Sequence, residues 1–146
     1  MNQATPAIRD LARLLLNLEA MENEQGKLGA HATASAIAKL RWHLTKLVGL
    51  TGFEALLARA LALAKKEVRW FEALHVKADA TLEGFQEVSQ QQSAEAIVEG
   101  SVALLGQLLG LLVTFIGEDL TLRLVRDVWP EIQLDNLNSG TEETPA

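Results

Sequence analysis

Residues 102–116, VALLGQLLGLLVTFI, decide how the rest of the chain is read, because they are apolar on every side of a helix. With successive residues about 100° apart, Leu104, Leu108, Leu111 and Phe115 form one face, and Leu105, Leu109, Leu112 and Ile116 the next. The remaining side is made of small residues. Ala103, Gly106, Gly110 and Gly117, with Val113 beside them, form a shallow face against which a second helix can press. Gln107 and Thr114 are the only polar side chains in the stretch.

A helix without a polar side must be surrounded by protein or by lipid. Fifteen helical residues rise about 22 Å, short of the ~30 Å hydrocarbon core, and Gly117-Glu118-Asp119 follows at once. The length therefore favours a central helix buried in protein over a membrane span or a strand. Glycines at 106, 110 and 117 together cost a helix roughly 2–3 kcal/mol relative to alanine, and close packing on that face is the simplest compensation.

The surrounding chain is short enough to be one domain of 146 residues, expected to span 1–135 with an acidic, disordered tail at 136–146. Hydrophobic residues make up 49%, and glycine raises the apolar share above that usual for soluble domains, which points to a surface buried against a partner. With no cysteine, disulfides and thiolate chemistry are excluded. The opening MNQATPAIRD lacks the basic and apolar regions of a secretory signal, so a cytoplasmic location is expected.

The net charge of −6 is unevenly spread: residues 27–77 carry a local +6, residues 78–146 a local −10, and residues 1–26 a local −2. Such halves can meet within one fold or across a homodimer. Arg41, Lys46, Lys65, Lys66 and Arg69 are the candidate basic surface, suited to an acidic protein partner or to the chain's own C-terminal half. Basic and aromatic residues interleave around Trp42 and Trp70, but the acidity of the whole chain argues against nucleic acid.

Along the chain, Thr5-Pro6 reads as a helix start. Ile8, Leu11, Leu15 and Leu18 then recur at helical spacing, with Arg9, Arg13 and Glu19 mainly off the stripe and Gly26 and Gly29 as the stop. This polar face is not lysine-rich, which argues against a membrane-surface helix. A second helix is expected over 32–48, then a break at Gly49-Leu50-Thr51-Gly52, then a third helix with Phe53, Leu56, Leu57, Ala60, Leu61 and Ala64 inside. Over residues 74–86 apolar and polar residues alternate around Ala78-Asp79-Ala80-Thr81, which reads as a short β-hairpin in preference to continued helix. Ser93 is the expected start of the central helix, which is expected to run past Gly117 to Val128, with exposed pairs between Asp119, Arg123 and Asp127. Trp129 before Pro130 should end it.

Chemistry-bearing patterns are sparse. His31, His43 and His75 share no helix face, so no metal site is expected, and no cofactor-binding fingerprint occurs. No nucleophile, base and acid stand at a recognisable spacing, and Glu118-Asp119 reads as solvated acids near arginines. The expectation is a mainly α protein: a small helical bundle around a central apolar helix, with a short hairpin insert. Its expected role is non-catalytic, a self-associating interaction module of regulatory or adaptor type and a homodimer, with the small-residue face as a helix-packing or dimer face. The competing expectation is a carrier or sensor that holds a hydrophobic small molecule in the core, oriented by Gln107 and Thr114.

Overall fold

The computed structural model describes residues 4–22 and 30–132. In chain order these form α1 (Pro6–Glu22), α2 (Ala30–Lys65), a 3-10 turn (Arg69–Ala73), β1 (His75–Val76), β2 (Leu82–Glu83), α3 (Phe85–Ser89), α4 (Ala94–Ile116) and α5 (Glu118–Val128). The protein is a mainly α bundle in which α4 is packed by α1, α2 and α5. The tail 136–146, the boundary at 135, and the stop at Gly26 and Gly29 lie outside the described residues.

The local signals act as their chemistry requires. Thr5 Oγ1 accepts from the Ile8 amide at 3.3 Å, and Ser93 Oγ accepts from the Ala96 amide at 3.1 Å, so each fills an amide that the first turn leaves free. The hairpin forms with His75 opposite Glu83 and Val76 opposite Leu82. Its turn departs from the usual residue choice, because buried Ala80 takes φ 64°, a left-handed position better suited to glycine or asparagine.

Two glycines shape the bundle. Gly49 (φ 82°, ψ 164°) interrupts α2, and Gly117 (φ 93°, ψ 159°) separates α4 from α5. Both occupy a backbone region essentially closed to other residues. The expected four-residue break at 49–52 is therefore a one-residue corner, with helix resuming at Leu50. The expected continuous helix to Val128 is likewise corrected. Gly117 N–H still donates to the Val113 carbonyl at 2.9 Å, while its own carbonyl accepts from Thr121 N–H at 3.1 Å and Thr121 Oγ1 at 2.7 Å, closing one helix and opening the next. Glu118 and Asp119 suit that opening because carboxylates favour the positive end of a helix.

The helices run in a definite sense. α1 is antiparallel to α4, with Arg9 beside Gly106 and Arg13 beside Ala94 and Val98. The end of α1 meets the start of α2, with Ser35 Oγ donating to Glu19 Oε1 at 2.7 Å. The first arm of α2 is joined to α4 by the buried Thr33 to Ser101 hydrogen bond at 2.6 Å. Sixteen residues beyond that bond each helix reaches its glycine corner.

The central stretch is buried on all sides from Gly100 to Gly110 and at Leu112, as an all-apolar helix requires. Its last turn is different: Thr114 and Phe115 emerge from the bundle, because the chain turns at Gly117 before anything covers them.

Candidate functional site

Two polar joints tie α1 to the rest of the bundle, one buried and one near the surface. Glu19, on the buried side of α1 in line with Leu11 and Leu15, is only 3% exposed. Its carboxylate accepts from Ser35 Oγ, from Trp129 Nε1 at 2.7 Å, and pairs with Lys39 Nζ at 2.7 Å. A buried carboxylate must be compensated, and here three donors from α2 and the residue ending α5 converge on it. Every one of these bonds is internal, so the joint fastens α1, α2 and Trp129 together. Sequence reading assigned Glu19 to the solvent side. The four-residue steps Leu11, Leu15, Glu19 were the signal that it belongs inside.

The second joint stands at the other end of α1. Arg9 Nη2 donates to both oxygens of Glu67 at 2.8 and 2.9 Å, Arg9 Nε donates to the Ala4 carbonyl at 3.0 Å, and Gln107 Nε2 donates to Glu67 Oε2 at 2.6 Å. The amide of Gln107 is thus committed to the fold. Thr114 is exposed and its hydroxyl donates to the Gly110 carbonyl at 3.2 Å, one turn back. The two expected ligand-orienting groups are not brought together, and neither lines a described cleft.

The small-residue face divides. Ala103, Gly106 and Gly110 are buried, and a methyl group on Gly106 would stand 3.2 Å from Ala4 Cβ and 3.7 Å from Arg9 Cγ, so α1 of the same chain occupies this part. Val113 is half-buried, and Gly117 is exposed with nothing within 4 Å of the position its side chain would take. Gly117 therefore leaves the expected packing face, since its role is conformational. The glycine in tightest contact is Gly100, where a methyl group would lie 2.8 Å from Trp70 Cζ2 and 3.0 Å from Phe71 Cζ.

The basic candidates fall into two groups. Arg41 and Lys46 lie on the first arm of α2, whereas Lys65 ends its second arm and Lys66 and Arg69 follow. Trp42 is exposed with Lys46 Nζ 4.5 Å from its ring centroid. Trp70 instead packs edge-on to Phe71 at 4.7 Å and stacks on Phe85 at 6.0 Å, which removes it from an aromatic surface. The ion pairs found, Arg9 with Glu67 and Lys39 with Glu19, join the basic middle to α1, not to the acidic C-terminal half. The expected pairs of Arg123 with Asp119 and Asp127 are not formed among the described residues.

Exposed apolar side chains gather at the glycine corners. Leu47 (55% exposed) and Leu50 (39%) flank Gly49, and Phe115 (71%) and Leu120 (39%) flank Gly117. Two helices, His31–Lys65 and Ala94–Ile116, are long and apolar enough by composition to cross a membrane, and the apolar window of the second is 67% buried by its own chain. Among the described residues no three His, Asp or Glu side chains are grouped to hold a metal ion. The hairpin turn holds Asp79, whose carboxyl is lowered below its ordinary range by the Thr81 hydroxyl, which donates to it at 2.6 Å. No protein-family model matches this chain, and neither curated proteins nor solved structures include a match to it.

Proposed function

We propose that this protein is a non-catalytic, self-associating helical module of adaptor or regulatory type, working in the cytoplasm, in which a second copy of the chain docks on the two glycine corners. The observation that carries this reading is the exposure of Leu47, Leu50, Phe115 and Leu120 beside Gly49 and Gly117. Leu47 and Leu50 flank one corner and Phe115 and Leu120 the other, so each corner carries its own exposed apolar pair. Exposed apolar groups gathered in this way mark an interaction surface.

Charge complementarity favours a second copy as the occupant. Lys46 adjoins Leu47 on one corner, and Glu118 and Asp119 precede Leu120 on the other. A two-fold axis that sets the α2 corner of one protomer on the α4–α5 corner of its partner buries all four apolar side chains and brings the lysine to the acids twice. The small-residue face is a poorer seat, because Gly106 is already covered by Ala4 and Arg9.

Sedimentation velocity of the full chain at tens of micromolar tests the proposal. The parent should sediment as a dimer and Phe115→Glu as a monomer, with melting little changed because a side chain this exposed contributes little to the fold. Equal monomer masses for parent and variant would overturn it. A parent that is monomeric in buffer but floats with phosphatidylcholine vesicles would assign these corners to lipid instead.

A further inference from the structure

Between the first arm of α2 and the hairpin lies a cleft of about 130 Å³ whose walls are mostly apolar: Ala34, Ile37 and Ala38 on one side, Ala80, Leu82 and Phe85 on the other, with Thr81 and Gln86 beside them. The exception that matters is Arg41. Its side chain lines the cleft and pairs with no carboxylate among the described residues, and its Nε–H is shut off from water without any hydrogen-bond acceptor. A buried guanidinium N–H without a partner is a costly arrangement, and arginine presents its donors in a planar fork matched to a carboxylate.

We propose that this cleft is a binding site for a small monocarboxylate with a compact apolar body, of the size of benzoate or a short branched-chain acid. The carboxylate pairs with the Arg41 guanidinium, which turns toward the cleft so that its Nε–H gains the acceptor it lacks, and the apolar body lies between Ile37 and Leu82. The volume matches the class, since an apolar cavity of about 150 Å³ accepts a single benzene ring. The polar lining groups do not compete for the arginine: Thr81 Oγ1 donates to Asp79 Oδ1 at 2.6 Å, and Gln86 is exposed. The charge pattern narrows the class further. Arg41 is the only cationic side chain lining the cleft, and exposed Asp79, Glu83 and Glu87 stand on the hairpin side, which disfavours polyanions such as nucleotides and favours a single negative charge.

The wall on the hairpin side is set with some strain. Ala80 is wholly buried at φ 64°, held by the Lys77 amide donating to the Thr81 carbonyl and the Ala80 amide donating to the Lys77 carbonyl, both at 2.8 Å. Glycine at this position would relax the backbone but remove a methyl group from the cleft wall. The site is separate from the corners proposed for self-association, so the two readings stand or fall independently.

Titration of the ¹⁵N-labelled full chain with sodium benzoate tests the site, with benzamide as the uncharged probe and the Arg41 side-chain Nε–H resonance as the direct reporter. Benzoate should shift that resonance and the amides of Ala38, Ala80 and Leu82 saturably, and benzamide should bind about tenfold or more weakly for lack of the charge-assisted bond. Arg41→Gln should lose benzoate by a similar factor. Ala38→Leu, which fills the cleft and leaves the arginine in place, should lose both probes. Absence of saturable shifts at these residues, or equal binding by parent and Ala38→Leu, would overturn the assignment.

Discussion

The indole N–H of Trp129 donates to the carboxylate of Glu19 at 2.7 Å, a bond between residues 110 apart in sequence that ties α1 to the end of α5. Both residues are buried, so the bond is made in a low-dielectric interior where an unmade partner is expensive. Trp129→Phe should destabilise by about 2–4 kcal/mol, combining the lost bond with lost packing, and Ser35→Ala by about 1–2 kcal/mol. Lys39→Met should fall below the ~3–5 kcal/mol cost of breaking a fully buried pair, because the Lys39 side chain is 33% exposed. Urea denaturation of the three variants gives the order directly. A loss from Ser35→Ala as large as that from Trp129→Phe would show that the joint is not organised around the indole.

The glycines should respond differently to one added methyl group. Gly100→Ala should lower stability by about 1–3 kcal/mol, because Trp70 and Phe71 must shift within their aromatic cluster. Gly106→Ala should be near neutral, since the 3.2 Å approach to Ala4 offsets a helix-propensity gain of roughly 1 kcal/mol. Melting curves separate the two, and a rise in melting temperature for Gly100→Ala would remove the close-packing account.

At the corners the cost is conformational. Nothing lies within 4 Å of a methyl group on Gly49 or Gly117, yet Ala at either should destabilise by about 1–3 kcal/mol through the backbone alone. If either corner is instead a helix in solution, alanine there will raise the melting temperature.

Gln107 Nε2 lies 2.6 Å from a Glu67 oxygen, so Gln107→Glu should set two carboxylates against each other and cost roughly 2–3 kcal/mol. Adding Glu67→Gln restores one donor and one acceptor and should recover most of the loss, less the pairing with Arg9. A double-mutant cycle in urea measures the coupling. Independent, additive effects would mean that the two side chains do not bond.

The Asp79 carboxyl is held below its ordinary range chiefly by the Thr81 hydroxyl, so the hairpin turn gains stability above the unfolded-state carboxyl pKa and loses it as pH falls through the lowered value. Following the Asp79 carboxyl ¹³C shift against pH should give a midpoint that rises in Thr81→Val. An unchanged midpoint in that variant would place the cause elsewhere.

Much of the architecture was legible before any coordinates, because burial leaves a period in the sequence. Residues 102–116 had to be surrounded, Thr5 and Ser93 are where helices begin, Trp129 is where the last one ends, and the alternation over 74–86 is a hairpin. What the period does not carry is the identity of the neighbour. Gly106 looked like a seat for a helix of this chain or of another subunit and is covered by α1 of its own chain, and Gln107 looked like a ligand contact and is bonded to Glu67.

The sequence by itself determined the helical class, the central helix and most of its caps, since these follow from local spacing and local hydrogen bonds. Tertiary structure alone decided which partners hold Glu19, that Arg41 lines an apolar cleft, and that Gly117 is a corner and not part of a longer helix. The physical reason is the same in each case. Local residues offer a charge, a groove or a permissive backbone, but the free energy that selects one use comes from partners far away in the chain: Trp129 and Lys39 for Glu19, the hairpin for Arg41, and the packing of α5 back onto α4 for Gly117.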